Sequence, residues 1–253
     1  MIKTLRFKDE TSDKFWRVET AGCELVVNWG KTGTAGRYDI KEFGTAEQCE
    51  KQVEKLVASK QKKGYIDMPE FDAAQHLYFD TDDYGPHPLT SHPLFRTYFF
   101  NELYYDCYDE EAPFGSDEGS DTLHVLQEVL RKRPKQMLAD FPQMLIEIEW
   151  GLTYLPPKAE QTDAELREQA SQQYNGLPGE RELLQTDQVI LATAFGQVKT
   201  MGKLDATLQE LAFLSLNRLE RMYRLLWNWK KTESPYFVAI LRSDLTRFVI
   251  REE

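Results

Sequence analysis

Long hydrophobic runs are missing from this chain of 253 residues. Its longest run, "VILATAF" from Val189 to Phe195, is far shorter than the roughly 20 apolar residues that cross a bilayer as a helix. The first ten residues, "MIKTLRFKDE", carry charges throughout, whereas a signal peptide needs a continuous apolar stretch. The sequence therefore predicts a cytoplasmic protein that is not exported and has no membrane partner.

Cysteine is scarce as well. Cys23, Cys49 and Cys107 are odd in number and occur in no CxxC or Cys/His spacing. We therefore expect buried, reduced thiols in a cytosol and no zinc site.

Patterns typical of catalysis and metal binding are also missing. The most suggestive stretch, "FDTDDYGPHPLTSHPLF", fails as an EF-hand starting at Asp80, because Tyr84 and Ser91 occupy positions that need oxygen ligands. Its histidines, His87 and His92, are separated by prolines and do not share a helix face. We expect an ordered Pro-rich loop here, no metal, no cofactor and no enzymatic activity.

Positive charge is in the minority and is unevenly distributed. The net charge of −11 divides into +3 for residues 1–66, −13 for residues 67–121 and −1 for the remainder. The acidic region 67–121 contains a single base, Arg96. A nucleic-acid surface is therefore expected within the first 66 residues, and region 67–121 is a candidate site for a basic protein partner.

The first 66 residues show the alternation of apolar and polar residues that is typical of β-strands. It occurs in "TLRFKD", "KFWRVET", "ELVVNWG" and "RYDIKEF", which predict four short antiparallel strands. Thr45 and Gln48 form a capping box that starts a helix near Ala46, and Gly64 ends it. We expect this helix to cover the apolar face of the sheet, and a fragment that ends near Asp67 to fold by itself.

The stretch "NWGKTGTAGRY", Asn28 to Tyr38, places a tryptophan among three glycines and two cations. Glycines permit a positive φ and a close approach of the backbone to a ligand. An aromatic ring and cations are what the exposed base or ribose and the phosphates of a nucleic-acid end would contact. An ordinary hairpin turn with a packed tryptophan and solvated cations is the alternative.

These residues resemble a WGR domain. The resemblance rests on "KFWRVET", "VVNWGKTGTAGRYDIKEF" and the lysine-rich helix, and covers roughly Met1 to Tyr65. WGR domains occur in poly(ADP-ribose) polymerases and in bacterial proteins such as the molybdate metabolism regulator. The resemblance implies that Trp29 packs on the sugar–base edge of a DNA end. Lys31 stands where the motif has arginine, and it offers a point charge instead of a planar fork.

The predicted nucleic-acid-binding residues combine the motif with nearby cations. They are Trp29, Gly30, Lys31, Gly33, Arg37, Lys14, Arg17 and Lys41. Binding to DNA or another nucleic acid is expected to be weak and dependent on salt.

The rest of the chain shows helical periodicity. Helices are expected to begin at Ser120 or Asp121, at Thr162 with a Glu165 capping box, and at three later positions, Asp187, Asp205 and Ser234 or Pro235. Arg218, Arg221 and Arg224 are expected to form ion pairs beside core aromatic residues, with a second phosphate or partner surface as the alternative. The predicted fold is α+β: a WGR-like sheet with one covering helix (1–66), an acidic α-containing middle region (67–157) and a helical bundle (158–253).

Two functions remain open at this point. One is a non-enzymatic nucleic-acid-binding adaptor, whose WGR-like domain contacts DNA, including DNA ends, while the remainder binds a protein. The other is a protein-interaction or immunity-type module whose acidic middle region binds a basic partner.

Overall fold

The computed structural model describes residues 1–230 and 233–250. Lys231, Thr232 and residues 251–253, which belong to the predicted helical bundle, lie outside the described residues. The chain divides into two compact units, an N-terminal unit from Met1 to Arg96 and a C-terminal unit from Thr97 to Glu253. The three-region division at residues 66 and 157 was drawn from charge and periodicity, and it stays a prediction.

The N-terminal unit is built on an antiparallel sheet of five strands in the order β4-β3-β2-β1-β5. The strands are β1 (Ile2–Lys8), β2 (Asp13–Ala21), β3 (Glu24–Lys31), β4 (Arg37–Glu42) and β5 (Ile66–Asp67). The first four strands were predicted. The fifth is a two-residue strand that pairs Leu5 with Asp67 and Arg6 with Ile66, and it is too short to produce an alternating pattern.

One face of the sheet packs against helix α1 (Ala46–Lys62), as predicted. Thr45 caps this helix by accepting a hydrogen bond from the backbone N–H of Gln48 at 3.2 Å. The core between helix and sheet is formed by the side chains of Leu5, Trp16, Val18, Leu25, Val27, Cys49 and Val53. Trp16 and Val18 on β2, like Leu25 and Val27 on β3, are alternate residues of their strands, which is the reason for the period of two.

The opposite face of the sheet is also covered, which the alternation of apolar and polar residues does not predict. Residues 71–96 lie on it: the Phe15 ring contacts Phe71, and the Tyr38 hydroxyl donates to the Leu77 carbonyl at 2.7 Å. With both faces covered, β2 is buried from Phe15 to Glu19 without interruption. Residues 71–96, which we assigned to the acidic middle region, therefore complete the N-terminal unit.

The C-terminal unit is mostly helical. Its α-helices are α2 (Pro93–Tyr98, which begins in the N-terminal unit), α3 (Asp117–Lys132), α4 (Phe141–Met144), α5 (Asp163–Ser171), α6 (Gly179–Met201), α7 (Ala206–Leu225) and α8 (Tyr236–Ile250). A two-stranded hairpin, β6 (Gln173–Tyr174) and β7 (Leu177–Pro178), precedes α6. The α+β fold class is thus confirmed. No helix in the described part of the chain is long and apolar enough to span a membrane.

Some of the helix starts were predicted correctly. The Thr162–Glu165 capping box is present, and α7 begins directly after Asp205. Two starts were wrong: Ser116, and not Ser120 or Asp121, caps α3, and α6 begins at Gly179, so that Asp187 lies inside it.

Asp187 is buried because it pairs with Arg218 across the interface of α6 and α7. The guanidinium of Arg218 donates to both carboxylate oxygens at 2.9 Å and to the Leu155 carbonyl at 2.7 Å. The other two arginines are also paired, Arg221 with Asp163 at 2.8 Å and Arg224 with Glu220 at 2.6 Å. The expected ion pairs are therefore present.

The cysteines follow the prediction only in part. None of the three is in a disulfide, and Cys49, on the inner face of α1, is buried in the core, where burial raises the pKa of its thiol. Cys23 and Cys107 are exposed, which corrects the expectation that all three are buried.

Removal of the Arg218 side chain is expected to destabilise the C-terminal unit strongly. Arg218→Ala leaves the buried Asp187 carboxylate without a counter-charge, a loss of about 3 to 5 kcal/mol. Arg221→Ala breaks a pair whose side chains are partly exposed and should cost less than about 1 kcal/mol. Urea unfolding followed by circular dichroism measures both values, and equal losses in the two variants would contradict this assignment.

The covered second face predicts which fragment folds. A fragment of residues 1–96 should unfold cooperatively, whereas residues 1–67 leave the buried Phe15, Arg17 and Tyr38 side chains without their cover. This replaces our expectation that a fragment ending near Asp67 folds by itself. Thermal unfolding of the two fragments decides: a fragment 1–67 that melts within a few degrees of 1–96 would show that residues 68–96 are dispensable.

Candidate nucleic-acid interface

The strand register brings four of the predicted residues to one face of the sheet. Trp29 on β3 lies opposite Arg37 on β4, and Lys31 lies opposite Lys14 on β2. Directly opposed residues of antiparallel strands point to the same side. Val27 and Leu25 precede Trp29 by two and four residues on β3, so their side chains are on the same side of the sheet. Because both pack beneath α1, this side is the face that α1 covers.

The four side chains lie at the end of the sheet and are open to solvent. Trp29 is 37% exposed, and Lys14, Lys31 and Arg37 are exposed as well. Within the described residues, none of these three cations forms a salt bridge. An exposed tryptophan and three cations without salt bridges thus occupy neighbouring positions of the sheet. We call Lys14, Trp29, Lys31 and Arg37 the tip surface.

A further cation next to the tip surface was missed in the sequence. The ammonium of Lys60 on α1 lies 5.6 Å from the centre of the Trp16 ring, and Trp16 is the residue opposite Trp29. Burial and the nearby Lys63 lower the pKa of Lys60. The contact depends on how α1 crosses the sheet, which the sequence does not show.

Two of the predicted cations do not belong to the tip surface. Arg17 is 2% exposed and points to the opposite face, where its guanidinium donates to Glu19 and lies 5.7 Å from the centre of the Phe71 ring. A buried and paired guanidinium is not accessible to phosphate, so Arg17 is removed from the set. Lys41 is exposed, but it lies four residues along β4 from Arg37 and contacts Asp39 at 3.3 Å.

Glu19 holds Arg17 on the buried face together with a second arginine. Its other carboxylate oxygen accepts from Arg96 at 2.6 Å. Burial raises the pKa of Glu19, but the two arginines outweigh it and lower the pKa below its usual value.

The glycines of the motif make the turn between β3 and β4. Gly33 has φ +85° within the turn that is closed by the hydrogen bond from Thr34 N to Lys31 O at 3.1 Å. Gly36 has φ +72° and lies so close to the Trp29 backbone that a Cβ there would be 2.5 Å from the Trp29 carbonyl oxygen. At Gly30, a Cβ would be 2.7 Å from Gly36 Cα. Gly30 and Gly36 therefore close the loop onto Trp29, whereas Gly33 serves only the turn.

The tip is supported from below by Asn28, which is fully buried. Its amide nitrogen donates to the carbonyls of Ala35 at 2.9 Å and Arg37 at 3.1 Å. Its Oδ1 lies 2.9 Å from Nε2 of His76. Because Oδ1 is an acceptor, this contact requires the tautomer of His76 with its proton on Nε2.

The His76 ring is held neutral. Burial, and then the positive charge of Arg17, lower its pKa to about 4. A neutral ring suits its packing among Phe15, Phe71 and Tyr78.

Comparison with known proteins identifies the family. The WGR domain family matches residues 1–72. The uncharacterized protein YfeS of Escherichia coli (strain K12) is 42% identical over 248 residues, which cover 98% of each chain. The chain is a WGR-domain protein of the YfeS family. WGR domains are of a nucleic-acid-binding type.

Other relatives match in part. Protein YehF of the same organism is 44% identical over 69 residues, 27% of this chain and 25% of YehF. A crystal structure of a Bacteroides fragilis protein is matched over 51% of this chain and 39% of that chain, with 24% identity and a TM-score of 0.27. That score is too low to support an argument about the fold.

Alanine substitutions at Gly36 and Gly33 separate loop closure from turn conformation. Both residues have a positive φ, which costs an L-residue about 1 to 2 kcal/mol. Gly33→Ala has open space around the new Cβ and should cost only that amount, whereas Gly36→Ala must also displace the Trp29 backbone. We expect a clearly larger loss of unfolding free energy for Gly36→Ala in urea titrations. Equal losses would show that Gly36 does not fix Trp29.

The neutral His76 predicts a pH dependence of the stability of the N-terminal unit. Between pH 6.5 and about 4 the unfolded chain binds a proton at His76 that the folded chain does not. Stability is therefore fully present above pH 6.5 and is lost as the pH falls towards 4, by at most about 3 kcal/mol. His76→Gln keeps a donor for Asn28 but does not titrate, so it should lose less stability between pH 7 and pH 4.5 than the wild type. Identical losses in urea unfolding at these two pH values would contradict the assignment.

Proposed function

We propose that this protein is a non-enzymatic nucleic-acid-binding adaptor, whose WGR domain contacts DNA while the remainder binds a protein. Within the WGR domain, the tip surface is the contact site. The observation that carries the proposal is the register of β2, β3 and β4, which places Trp29 and three unpaired cations together at the exposed end of one face of the sheet.

The chemistry of the tip surface suits the end of a DNA duplex. The exposed ring of Trp29 is available to stack on the outer face of a terminal base, a face that a continuous duplex buries between neighbouring base pairs. Lys14, Lys31 and Arg37 occupy neighbouring positions of the sheet and are available to the backbone phosphates of that terminal nucleotide. Lys60 adds a fourth cation above Trp16.

Charge within the N-terminal unit supports an oriented approach. Burial, followed by the nearby carboxylates of Glu42, Asp39, Asp83 and Glu24, raises the pKa of Tyr84. Glu24 and Glu42 lie at the end of β3 and β4 that is opposite to Lys31 and Arg37. A polyanion is therefore attracted to the tip surface and repelled from the far end of the sheet.

We expect a blunt duplex to bind with a dissociation constant of roughly 10⁻⁴ to 10⁻⁶ M at physiological salt, which is the range of non-specific DNA binding. With three or four phosphate contacts, log affinity against log salt should have a slope of about −3 to −4. Trp29→Ala should weaken binding by about 1 to 3 kcal/mol through lost stacking. Lys31→Ala should make the slope shallower by about one unit. Fluorescence anisotropy of a labelled duplex measures all of these.

Lys41→Ala is the matched control, since it removes an exposed lysine of the same sheet that lies away from Trp29 and is paired with Asp39. It should bind the duplex like the wild type. A circular duplex without ends distinguishes end recognition from binding along the duplex. If Trp29→Ala and Lys41→Ala both bind like the wild type, the tip surface is not the site, and the protein-interaction module becomes the better account.

A further inference from the structure

The C-terminal unit contains a cleft of about 210 Å³ that the WGR domain does not account for. It is bounded by α6, α7, α8 and the loop that precedes α3. Its walls are largely apolar and include Leu184, Leu191, Leu219 and Leu241. Pockets for whole small molecules usually measure roughly 300 to 1,000 Å³, so this cleft fits a single side chain better than a nucleotide or a similar ligand.

Aromatic rings form one side of the cleft. Tyr223, Trp227 and Phe237 line it. The Tyr223 and Trp227 rings are perpendicular, with centroids 4.8 Å apart, and Tyr223 and Phe237 are 5.6 Å apart. Such rings stabilise a cation that lies over their faces.

Negative charge lies at the same cleft. Glu110 and Glu111 line it, and the Tyr223 hydroxyl donates to Oε1 of Glu111 at 2.8 Å. Burial and this hydrogen bond raise the pKa of Tyr223, so the phenol keeps its proton and holds the carboxylate in place. None of the described residues that line the cleft carries a positive charge.

The arginines of the neighbouring helix do not neutralise these carboxylates. Arg218, Arg221 and Arg224 on α7 are paired with Asp187, Asp163 and Glu220. The surface next to the cleft is also acidic: Asp106 and Asp109 are exposed, and between them Tyr108 is 95% exposed.

We propose that this cleft binds a lysine side chain from a basic segment of a partner protein. The apolar walls take the four-carbon stem, while the rings and the carboxylates of Glu110 and Glu111 hold the ammonium group. The exposed acidic stretch from Asp106 to Glu110 contacts flanking basic residues, which a free amine does not possess. This inference rests on the protein-docking half of the proposed function, and it does not depend on DNA binding.

Binding of labelled peptides to the full-length protein tests the proposal. The probe is a twelve-residue Gly/Ser peptide with three lysines, and two control peptides replace the lysines by norleucine or arginine. The lysine peptide should bind about tenfold or more tightly than the norleucine peptide, and more tightly than the arginine peptide. Equal binding of the norleucine peptide would overturn the role of charge, and equal or tighter binding of the arginine peptide would overturn the choice of lysine.

Protein variants locate the binding site. Glu111→Gln should weaken binding of the lysine peptide by about tenfold. Tyr223→Phe should weaken binding by a smaller factor, because the Glu111 carboxylate is no longer held by the tyrosine hydroxyl. Glu210→Gln removes one exposed negative charge elsewhere on α7 and should have no effect. If Glu210→Gln weakens binding as much as Glu111→Gln, the effect is one of overall charge and the cleft is not the site.

Two further arms separate the alternatives. Trp29→Ala should bind the lysine peptide like the wild type, so a failure of DNA binding and a failure of this inference are distinguishable. n-Butylammonium should compete only at concentrations far above that of the peptide. Competition at equal concentration would show that the cleft recognises free amines and would contradict the proposal that it binds a partner protein.

Discussion

The candidate interface depends on the register of β2, β3 and β4. A shift of one residue between antiparallel strands would move every side chain to the other face of the sheet. Here both faces are specified: Val27 and Leu25 must pack under α1, while Asn28 must lie on the other face to reach His76. Because Trp29 and Lys31 follow in the same alternation, the packing of the core decides where the exposed ring and its cations lie.

A polar residue makes this arrangement specific at the tip. The fully buried Asn28 uses its amide for the carbonyls of Ala35 and Arg37 and its oxygen for His76. Any other register would leave these groups buried without partners, at a cost of about 1 to 3 kcal/mol each. Stability and the shape of the tip surface therefore depend on the same contacts.

Local signals in the sequence were sufficient for much of the fold. Four strands follow from alternation, and the Thr162–Glu165 capping box follows from hydrogen bonds within one turn. Two of the errors concern long-range contacts. Asp187 resembles a helix cap but pairs with Arg218, 31 residues away in sequence, and Arg17 is buried only because residues 71–96 cover its face. The tip surface was predictable from the motif, whereas the position of Lys60 depends on how α1 crosses the sheet.

The central claim is that Trp29 and its neighbouring cations contact DNA. The chain has five tryptophans, at positions 16, 29, 150, 227 and 229, and each gives one indole N–H signal in a proton–nitrogen NMR spectrum. Upon titration of the full-length protein with a blunt duplex, the Trp29 signal should shift most, the Trp16 signal beneath Lys60 less, and the Trp227 and Trp229 signals not at all. Binding that leaves Trp29 unchanged, or that shifts Trp227 and Trp229 instead, would contradict the account.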